Sequence, residues 1–569
     1  MPNSHHFNAS FVNETESAIP LLSLPLETDS ANVSADSAIE KSDGAAVTVG
    51  KLQSHPKHLK NPYRESEIAY EDEEVAANQG RLRRLFSFVQ LLAFALTFMS
   101  SWEVIAMNMG ASLYNGGSRA LVWGCLLVVV GSLAQALSMA ELGSILPIAG
   151  AQYHWTDMLA PEKSRRVITW FQGWVTWFAW VSALGGSSSS LAFSLQGIIA
   201  ENMPGYADAQ QTWHLAPIMI AILVTTGLIN SYAFRIVPWL ELASGVCHVL
   251  LFFIFVGVFA GLGSGNTADV VFTDSTSYSG WGKFVAFNIG MLVPAWGFIG
   301  FDGVNHMSEE VRRARHAVPR AMVYTILING TLAFIMALVI MFQMGDVTPY
   351  LESGYPIIPI FMAIAGTHAA NALVFGLLII TYCVVAASLA SVGRITWAWA
   401  RDGALPKYFA KVDPKHKVPV RALWLPILIV SLLSLLNIGS TAATAFSAFT
   451  SLSSLGLYSS YIIAISCLLH ARLTGLLGDT STARVHYGEW RLPKSFAVPI
   501  SIYALVWTIY ITIYLPFPTS YGVDGTNMNY ALPIYAFLLL CAGVGWFAWG
   551  RKKWPGLNAS AIALVSKES

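Results

Sequence analysis

Hydrophobic residues occur along this chain in runs of roughly 20, separated by shorter polar segments. An α-helix of that length crosses the hydrocarbon core of a membrane. We predict about twelve such spans, with approximate limits 86–109, 119–140, 167–199, 213–230, 236–262, 284–306, 321–344, 372–398, 420–438, 441–469, 496–516 and 529–550. The pattern therefore predicts an all-α, multi-pass protein that is surrounded by a lipid bilayer.

Charged residues predict the orientation of these spans. Lys and Arg are concentrated in the connections near 81–84, 163–166, 235, 312–315, 401–421, 472–494 and 551–553, whereas the alternate connections hold only Arg119 and Lys283. An even number of spans puts both termini on the basic side, which is the cytosolic side by the positive-inside rule. Residues 1–84, which are polar and show no helical or strand periodicity, are predicted to be a disordered cytosolic tail. Residues 551–569 form a second cytosolic tail.

Composition excludes several classes of partner. Hydrophobic residues make up 54% of the 569 residues and charged residues only 12%, and the formal net charge is zero. The charge balance gives no reason to expect a nucleic-acid partner. All five cysteines lie inside apolar runs, so we expect them to pack as small side chains, and we predict no metal site and no cofactor.

Two spans contain residues that interrupt a helix. Ser100 and Ser101 stand inside the first span, and the sixth contains one proline and three glycines between Pro294 and Gly303. Irregular backbone at membrane depth is tolerated only where it is buried in protein or lines a cavity. Matching interruptions five spans apart suggest an inverted repeat, with repeats at 85–262 and 284–470 and two additional helices at 495–550. Two ordinary kinked helices are the alternative.

Glu103 is the only formally charged residue between Arg84 and Arg119. A carboxylate near the centre of a bilayer costs about 3 kcal/mol, so its presence indicates a function. We interpret it as the counter-charge for an amine. Three alternatives stay open: Glu103 binds a transported proton, it pairs structurally with a buried base such as His248, or the span ends earlier and leaves it near the outer water.

Aromatic residues and free backbone groups complete the predicted substrate site. Aromatic faces attract a quaternary ammonium, and Trp102 and Trp296 are the favoured candidates, whereas Trp174, Trp177 and Trp180 are expected to be structural. Backbone N–H groups at a helix break suit a carboxylate. The predicted substrate-binding residues are Ser100, Ser101, Trp102, Glu103, Trp296, Gly297, Phe298, Ile299, Gly300, Phe301 and Asp302. Glu103 and His248 are the candidates for proton coupling, although a lone membrane histidine is more often structural.

Three stretches, in order along the chain, carry a family resemblance. The first runs from Ala140 to Ser144 and continues through Pro147, Ala149-Gly150 and Gln152-Tyr153; the second contains Phe298–Asp302, Ser308–Val311 and Val318–Ala321; the third contains Arg394, Ala400–Pro406 and Val418–Arg421. Together they resemble the amino acid–polyamine–organocation superfamily of secondary transporters. Ser101–Glu103, Pro294–Trp296 and His306–Glu310 further resemble its fungal amino acid/choline/GABA permease branch.

This resemblance implies a fold and an activity. The implied fold has five plus five inverted helices and two extra ones, and the implied activity is import of a small amine, with protons as the coupling ion and the plasma membrane as the location. The branch carries choline, GABA and other amino acids, so the substrate stays open. Opposite charges in the three motif regions are expected to form a cytosolic gate, namely Glu141, Glu309, Glu310, Arg394, Arg401 and Asp402. Solvated loop charges that only anchor the orientation are the alternative.

Two other functions are alternatives to transport. A nutrient sensor would keep the fold and site but signal through the long N-terminal segment. A membrane enzyme has little support, because the sequence contains no HExxH, no GxSxG, no phosphate-binding loop and no Cys/His metal spacing. We therefore expect a transporter and not an enzyme.

Overall fold

The computed structural model describes residues 82, 84–346, 357–438, 442–525 and 527–568. Apart from residues 82 and 84, the predicted N-terminal tail lies outside the described residues. Within them the chain forms helices and no β-strand. The α-helices are α1 (Phe88–Met99), α2 (Ser101–Tyr114), α3 (Gly117–Ile145), α4 (Gln152–Leu159), α5 (Arg165–Asn202), α6 (Pro204–Ala209), α7 (Leu215–Tyr232), α8 (Val237–Leu262), α9 (Ala268–Thr273), α10 (Lys283–Gly290), α11 (Leu292–Gly297), α12 (Gly303–His306), α13 (Ala314–Gln343), α14 (Ile357–Ala365), α15 (Thr367–Arg401), α16 (Val420–Ser434), α17 (Ala442–Leu473), α18 (Lys494–Tyr514), α19 (Ala531–Gly545), α20 (Arg551–Lys553) and α21 (Ala559–Glu568).

Ten helical segments of the described chain are long and apolar enough to cross a membrane. They are α1 and α2 taken together, α3, α7, α8, α13, α15, α16, α17, α18 and α19. Each corresponds to one of the predicted spans. The prediction of an all-α membrane protein is confirmed.

The two remaining predicted spans are helical but differ from the others. Helix α5 has 38 residues and is less apolar, because it carries the small polar stretch Gly185–Ser190. The sixth span is divided into α10, α11 and α12, none of which is long enough to cross a membrane alone. The interruption predicted from Pro294 and its neighbouring glycines is therefore present.

Local sequence explains where the first helix begins. Ser87 caps α1: its hydroxyl accepts from the backbone N–H of Gln90 at 3.4 Å, and the Gln90 side chain accepts from the Ser87 N–H at 3.1 Å. This reciprocal pair satisfies two N–H groups that a helix start leaves without a partner.

Helix packing places the two interrupted spans inside the bundle. Helix α1 packs against α8 and α13, and α5 packs between α15 and α17. Residues of α5 and α15 are largely buried, whereas α18 and α19 expose many large apolar side chains on the outside of the bundle. The backbone of Phe86 pairs with Glu310 and Arg312, which joins the start of α1 to the loop after α12.

Candidate functional site

The interruptions of the first and sixth spans lie next to each other. Helix α1 ends at Met99, Ser100 has a left-handed backbone with φ of 40°, and α2 begins at Ser101. The Ser101 hydroxyl donates to the carbonyl oxygen of Gly297, 2.6 Å away at the end of α11. A serine at one interruption thus satisfies a backbone group that the other leaves free.

Gly300 holds the open backbone between α11 and α12. Its φ is +83°, and a Cβ at this position would lie 2.4 Å from Cε1 of Phe98. Its N–H donates to the hydroxyl of Tyr461 at 3.1 Å, and the hydroxyl of Tyr458 donates to the carbonyl of Ala295 at 3.1 Å. Two tyrosines of α17 therefore satisfy backbone groups around this interruption.

Glu103 lies in the first turn of α2 and is 2% exposed. Its Oε1 is 2.6 Å from Nδ1 of His248 on α8, whose side chain is also buried. Its Oε2 has no hydrogen-bond partner among the described residues. The structural pairing with His248, one of the alternatives considered from the sequence, is present, and it occupies only one of the two carboxylate oxygens.

The two favoured tryptophans have different surroundings. Trp102 is fully buried and packs against His248, Phe252 and Phe255, with ring centroids 5.9, 5.9 and 5.3 Å away. It lines neither of the two cavities described next. Trp296 lines both of them, so of the two favoured tryptophans it is the one placed to contact a ligand.

Two adjoining cavities lie beside the interruptions. A small one, of about 50 Å³, is lined by Ser100, Glu103, Ile299 and Gly300. A larger one, of about 490 Å³, has the size of a typical ligand pocket. Met107, Asn108 and Trp296 line both. The larger cavity extends past the end of α2 to the loop between α18 and α19.

Three other predicted residues of the sixth span are buried away from these cavities. Phe298, Phe301 and Asp302 are at most 1% exposed. Asp302 accepts hydrogen bonds from the Tyr461 hydroxyl, the Gln152 side chain and, at 3.3 Å, the Trp180 indole. With three donors, Asp302 joins α4, α5 and α17 around the interruption.

Several cavity residues were missed from the sequence. Asn108, Ser187, Ser190, Phe446 and Thr450 line one or both cavities. Ser187 and Ser190 belong to the Gly185–Ser190 stretch, and the sequence alone favours close helix packing for such a run of small residues. No sequence pattern pointed to them, because Asn108 is rotated by about 140° from Glu103 on α2 and the others lie on helices distant in the chain.

Buried ion pairs lie on the face that carries Phe86, Glu309 and Trp554, which we call the terminal face. Arg394 donates to Glu310 at 2.7 Å, with both side chains at most 2% exposed. Arg401 makes a two-pronged contact with Glu309 at 3.1 and 3.2 Å. The second and third motif regions are thus joined by two buried ion pairs.

The other two predicted gate residues, Glu141 and Asp402, have partners outside the predicted gate set. Glu141 pairs with Arg472 and accepts from the backbone N–H of Leu492 at 3.1 Å. The Tyr153 hydroxyl donates to Asp402 at 2.7 Å. Burial raises the pKa of the Asp402 carboxyl, and the neighbouring Arg401 guanidinium partly opposes this shift.

The segment after α19 covers this face. Trp554 is 1% exposed and its ring packs against Trp170 and Trp399. Its indole N–H donates to the carbonyl of Asp402 at 2.8 Å, and the N–H of Asn558 donates to the Asp402 carboxylate at 3.0 Å. The segment is therefore fixed to α5 and α15 beside these ion pairs.

Membrane-length helices, two adjoining interruptions and a cavity beside them define the class of this protein as a multi-pass membrane permease. The Amino acid permease family matches residues 86–539, and the chain belongs to this family.

Individual relatives of this chain are fungal permeases. It is 28% identical over 495 residues to a choline transporter of Saccharomyces cerevisiae, with 85% of each chain covered. It is 25% identical over 565 residues to a GABA-specific permease of the same yeast, covering 92% of this chain and 93% of the relative. An amino-acid permease of Neurospora crassa is 26% identical, with 83% and 86% covered. The chain is therefore a transporter and not an enzyme.

Proposed function

We propose that this chain is a secondary active importer of a small amine such as choline, GABA or another amino acid. It works by alternating access, is coupled to protons, and lies in the plasma membrane with both termini in the cytosol. The observation that carries the proposal is the free Oε2 of Glu103 at a cavity beside two helix interruptions. A buried anion with an unused acceptor suits an ammonium group.

In this mechanism the substrate enters through the larger cavity and moves to the interruptions. Its ammonium group approaches Glu103, and the face of Trp296 adds a cation–π contact of up to about 2 kcal/mol. The start of α2 has no side-chain cap, so its N–H groups are suited to a substrate carboxylate. A zwitterion would use both groups, and choline only the first.

Alternating access requires the terminal face to open after the substrate is bound. The ion pairs Arg394–Glu310 and Arg401–Glu309 join the loop after α12 to α15. Separation of these pairs would open a path to the terminal face, while the larger cavity closes. We assign the moving and static parts to the proposed inverted repeats 85–262 and 284–470.

Uptake into proteoliposomes tests the proposal. The purified protein should accumulate at least one radiolabelled compound from a panel of choline, GABA, proline and arginine, and an inwardly directed proton gradient should increase the accumulation. A protein that binds one of these compounds without moving it across the bilayer would instead be a sensor. Uptake of the same size with and without the gradient would contradict proton coupling.

A further inference from the structure

Helix α8 carries a second buried acid, which the proposed amine site does not use. Glu241 is fully buried one turn after the start of the helix, on the terminal side of His248. Neither of its carboxylate oxygens has a hydrogen-bond partner among the described residues. Buried carboxylates are normally paired, since an isolated charge is costly in a medium of low dielectric. An acid left in this condition requires an explanation.

The buried polar groups of α8 are aligned. Glu241, Ser244 and His248 are spaced three and four residues apart, which places them on one face of the helix. Within the described chain, Nε2 of His248 also lacks a hydrogen-bond partner, the Ser244 hydroxyl interacts with the Cys383 thiol of α15, and both Ser244 and His248 are buried. The other ring nitrogen of His248 contacts Glu103. Proton-binding groups therefore follow one face of α8 from His248 to Glu241, whose backbone position is roughly 10 Å away along the helix, and in this conformation these groups make no hydrogen bonds to one another.

No cation compensates Glu241 from the neighbouring elements. Helices α1 and α14 contain no titratable residue. On α15, the Cys383 thiol interacts electrostatically with Glu241, whereas the Arg394 guanidinium is held by Glu310.

The remaining titratable groups near this end of α8 point elsewhere. On α13, the side chains of His316, Arg320 and Tyr324 are exposed, and the half-buried Arg315 donates to the carbonyl of Ser566. Arg235, which precedes α8, is also exposed. Binding a proton therefore removes the cost of burying Glu241 without breaking an ion pair.

Helix α1 covers this line of groups. A Cβ on Gly245 would lie 2.9 Å from the Cβ and 3.2 Å from the Cα of Ala93, so the two helices are in direct contact beside Ser244. Helix α1 ends at the interruption at Ser100, beside the substrate site. Its start is joined to the terminal face through the backbone of Phe86. A tilt of α1 would expose Glu241 to water on that face.

We infer that Glu241 is the proton-release site of the transport cycle, reached from Glu103 through His248 and Ser244. The inference rests on the proposed function, since it assumes that the protein moves protons with its substrate. Protonated Glu103 gives its proton to Nδ1 of His248. Rotation of the Ser244 and Glu241 side chains brings these groups into hydrogen-bond contact, and the resulting imidazolium then gives its Nε2 proton to the Ser244 hydroxyl, which passes its own hydrogen to the Glu241 carboxylate. Tilting of α1 then releases that proton to water, and the imidazole returns to its first tautomer.

Glu241→Gln tests this inference, because glutamine keeps the size and polarity of the side chain but cannot take up a proton. Proteoliposomes would be loaded with a pH-sensitive dye, with radiolabelled choline and GABA as the probes. We expect amine-for-amine exchange within twofold of the unaltered protein, and substrate-driven proton entry reduced at least tenfold. Glu241→Asp should retain part of the proton entry. Cys247→Ser, an exposed position on the same helix, is the matched control and should change neither measurement.

The possible results separate the inference from the function beneath it. If the unaltered protein moves amine but no protons, proton coupling is wrong, and the inference falls with it. If that protein is coupled and Glu241→Gln is equally coupled, the inference alone is overturned. Loss of both exchange and proton entry in the Gln variant would also overturn it, since Glu241 would then be structural. Where the Gln variant does not reach the membrane, Ser244→Ala decides: proton entry should fall severalfold relative to amine exchange, and an unchanged ratio contradicts the inference.

Discussion

Replacement of Glu103 by glutamine is the most direct test of the amine site. His248 occupies Oε1, so only Oε2 is available to a substrate. For an ammonium that carries N–H donors, such as that of GABA, the variant therefore removes one charge-assisted hydrogen bond, which contributes about 1.5–3 kcal/mol. At about 1.4 kcal/mol per factor of ten, we expect an affinity roughly 10- to 150-fold weaker. The glutamine oxygen can still accept from His248, so the local fold should be retained.

The assay is equilibrium binding of the radiolabelled substrate to purified protein, together with uptake into proteoliposomes. Glu162→Gln makes the same chemical change at an exposed position and should leave both measurements unaltered. Melting temperatures of the two variants should agree within a few degrees, which separates lost binding from lost structure. An affinity of Glu103→Gln within threefold of the unaltered protein would refute the assignment of Glu103 as the amine's counter-charge.

Three further changes probe the structure around the site, each read as a melting temperature in detergent unless stated otherwise. Gly300→Ala should destabilise the fold by about 1–3 kcal/mol, because the backbone φ at this position is +83° and a Cβ would meet Phe98. The control Gly265→Ala places a Cβ in open space and should have little effect, and equal melting temperatures of the two variants would contradict this account. Arg394→Met leaves Glu310 buried without its ion-pair partner and should destabilise the fold by about 3–5 kcal/mol. Methionine at both positions should recover much of this loss, and a double variant as unstable as the single one would argue against the ion pair. Trp554→Ala leaves a cavity between Trp170 and Trp399 and should loosen the segment that follows α19. A protease should therefore cleave after Lys553 faster than in the control Phe547→Ala, which changes an exposed residue. Equal cleavage rates would show that the segment is not fixed at this position.

The sequence-based predictions of helix interruptions that the structure confirms depend only on residues next to one another in the chain. Ser100 and Ser101 marked the first interruption, and the glycines near Pro294 marked the second, because a lost helical hydrogen bond is a property of a few adjacent residues. The sequence grouped the charged residues of the three motif regions but did not indicate which of them form ion pairs. Glu310 contacts Arg394 and Glu309 contacts Arg401, whereas Glu141 contacts Arg472, which lies outside the three motifs.

The site itself was harder to predict, since its members come from distant helices. Trp102 and Trp296 look equivalent in the sequence, yet one packs against α8 and the other lines the cavity. Ser187 looked like a packing residue and lines the smaller cavity. The direction of a side chain on a membrane helix depends on the rotation of that helix about its axis, which is set by all of its neighbours.

The amino-acid sequence by itself determined three things. It showed that this chain is a helical membrane protein, it showed where the backbone departs from helix, and it placed one acid deep in the first span. These are consequences of transfer energies and of hydrogen bonds between residues near in the chain. Only the tertiary structure decided that Ser101 meets Gly297, that His248 takes one oxygen of Glu103 and leaves the other free, and that Glu241 shares a helix face with this pair. Contacts between residues more than a hundred positions apart are selected by the packing of the whole bundle, and no local pattern encodes them.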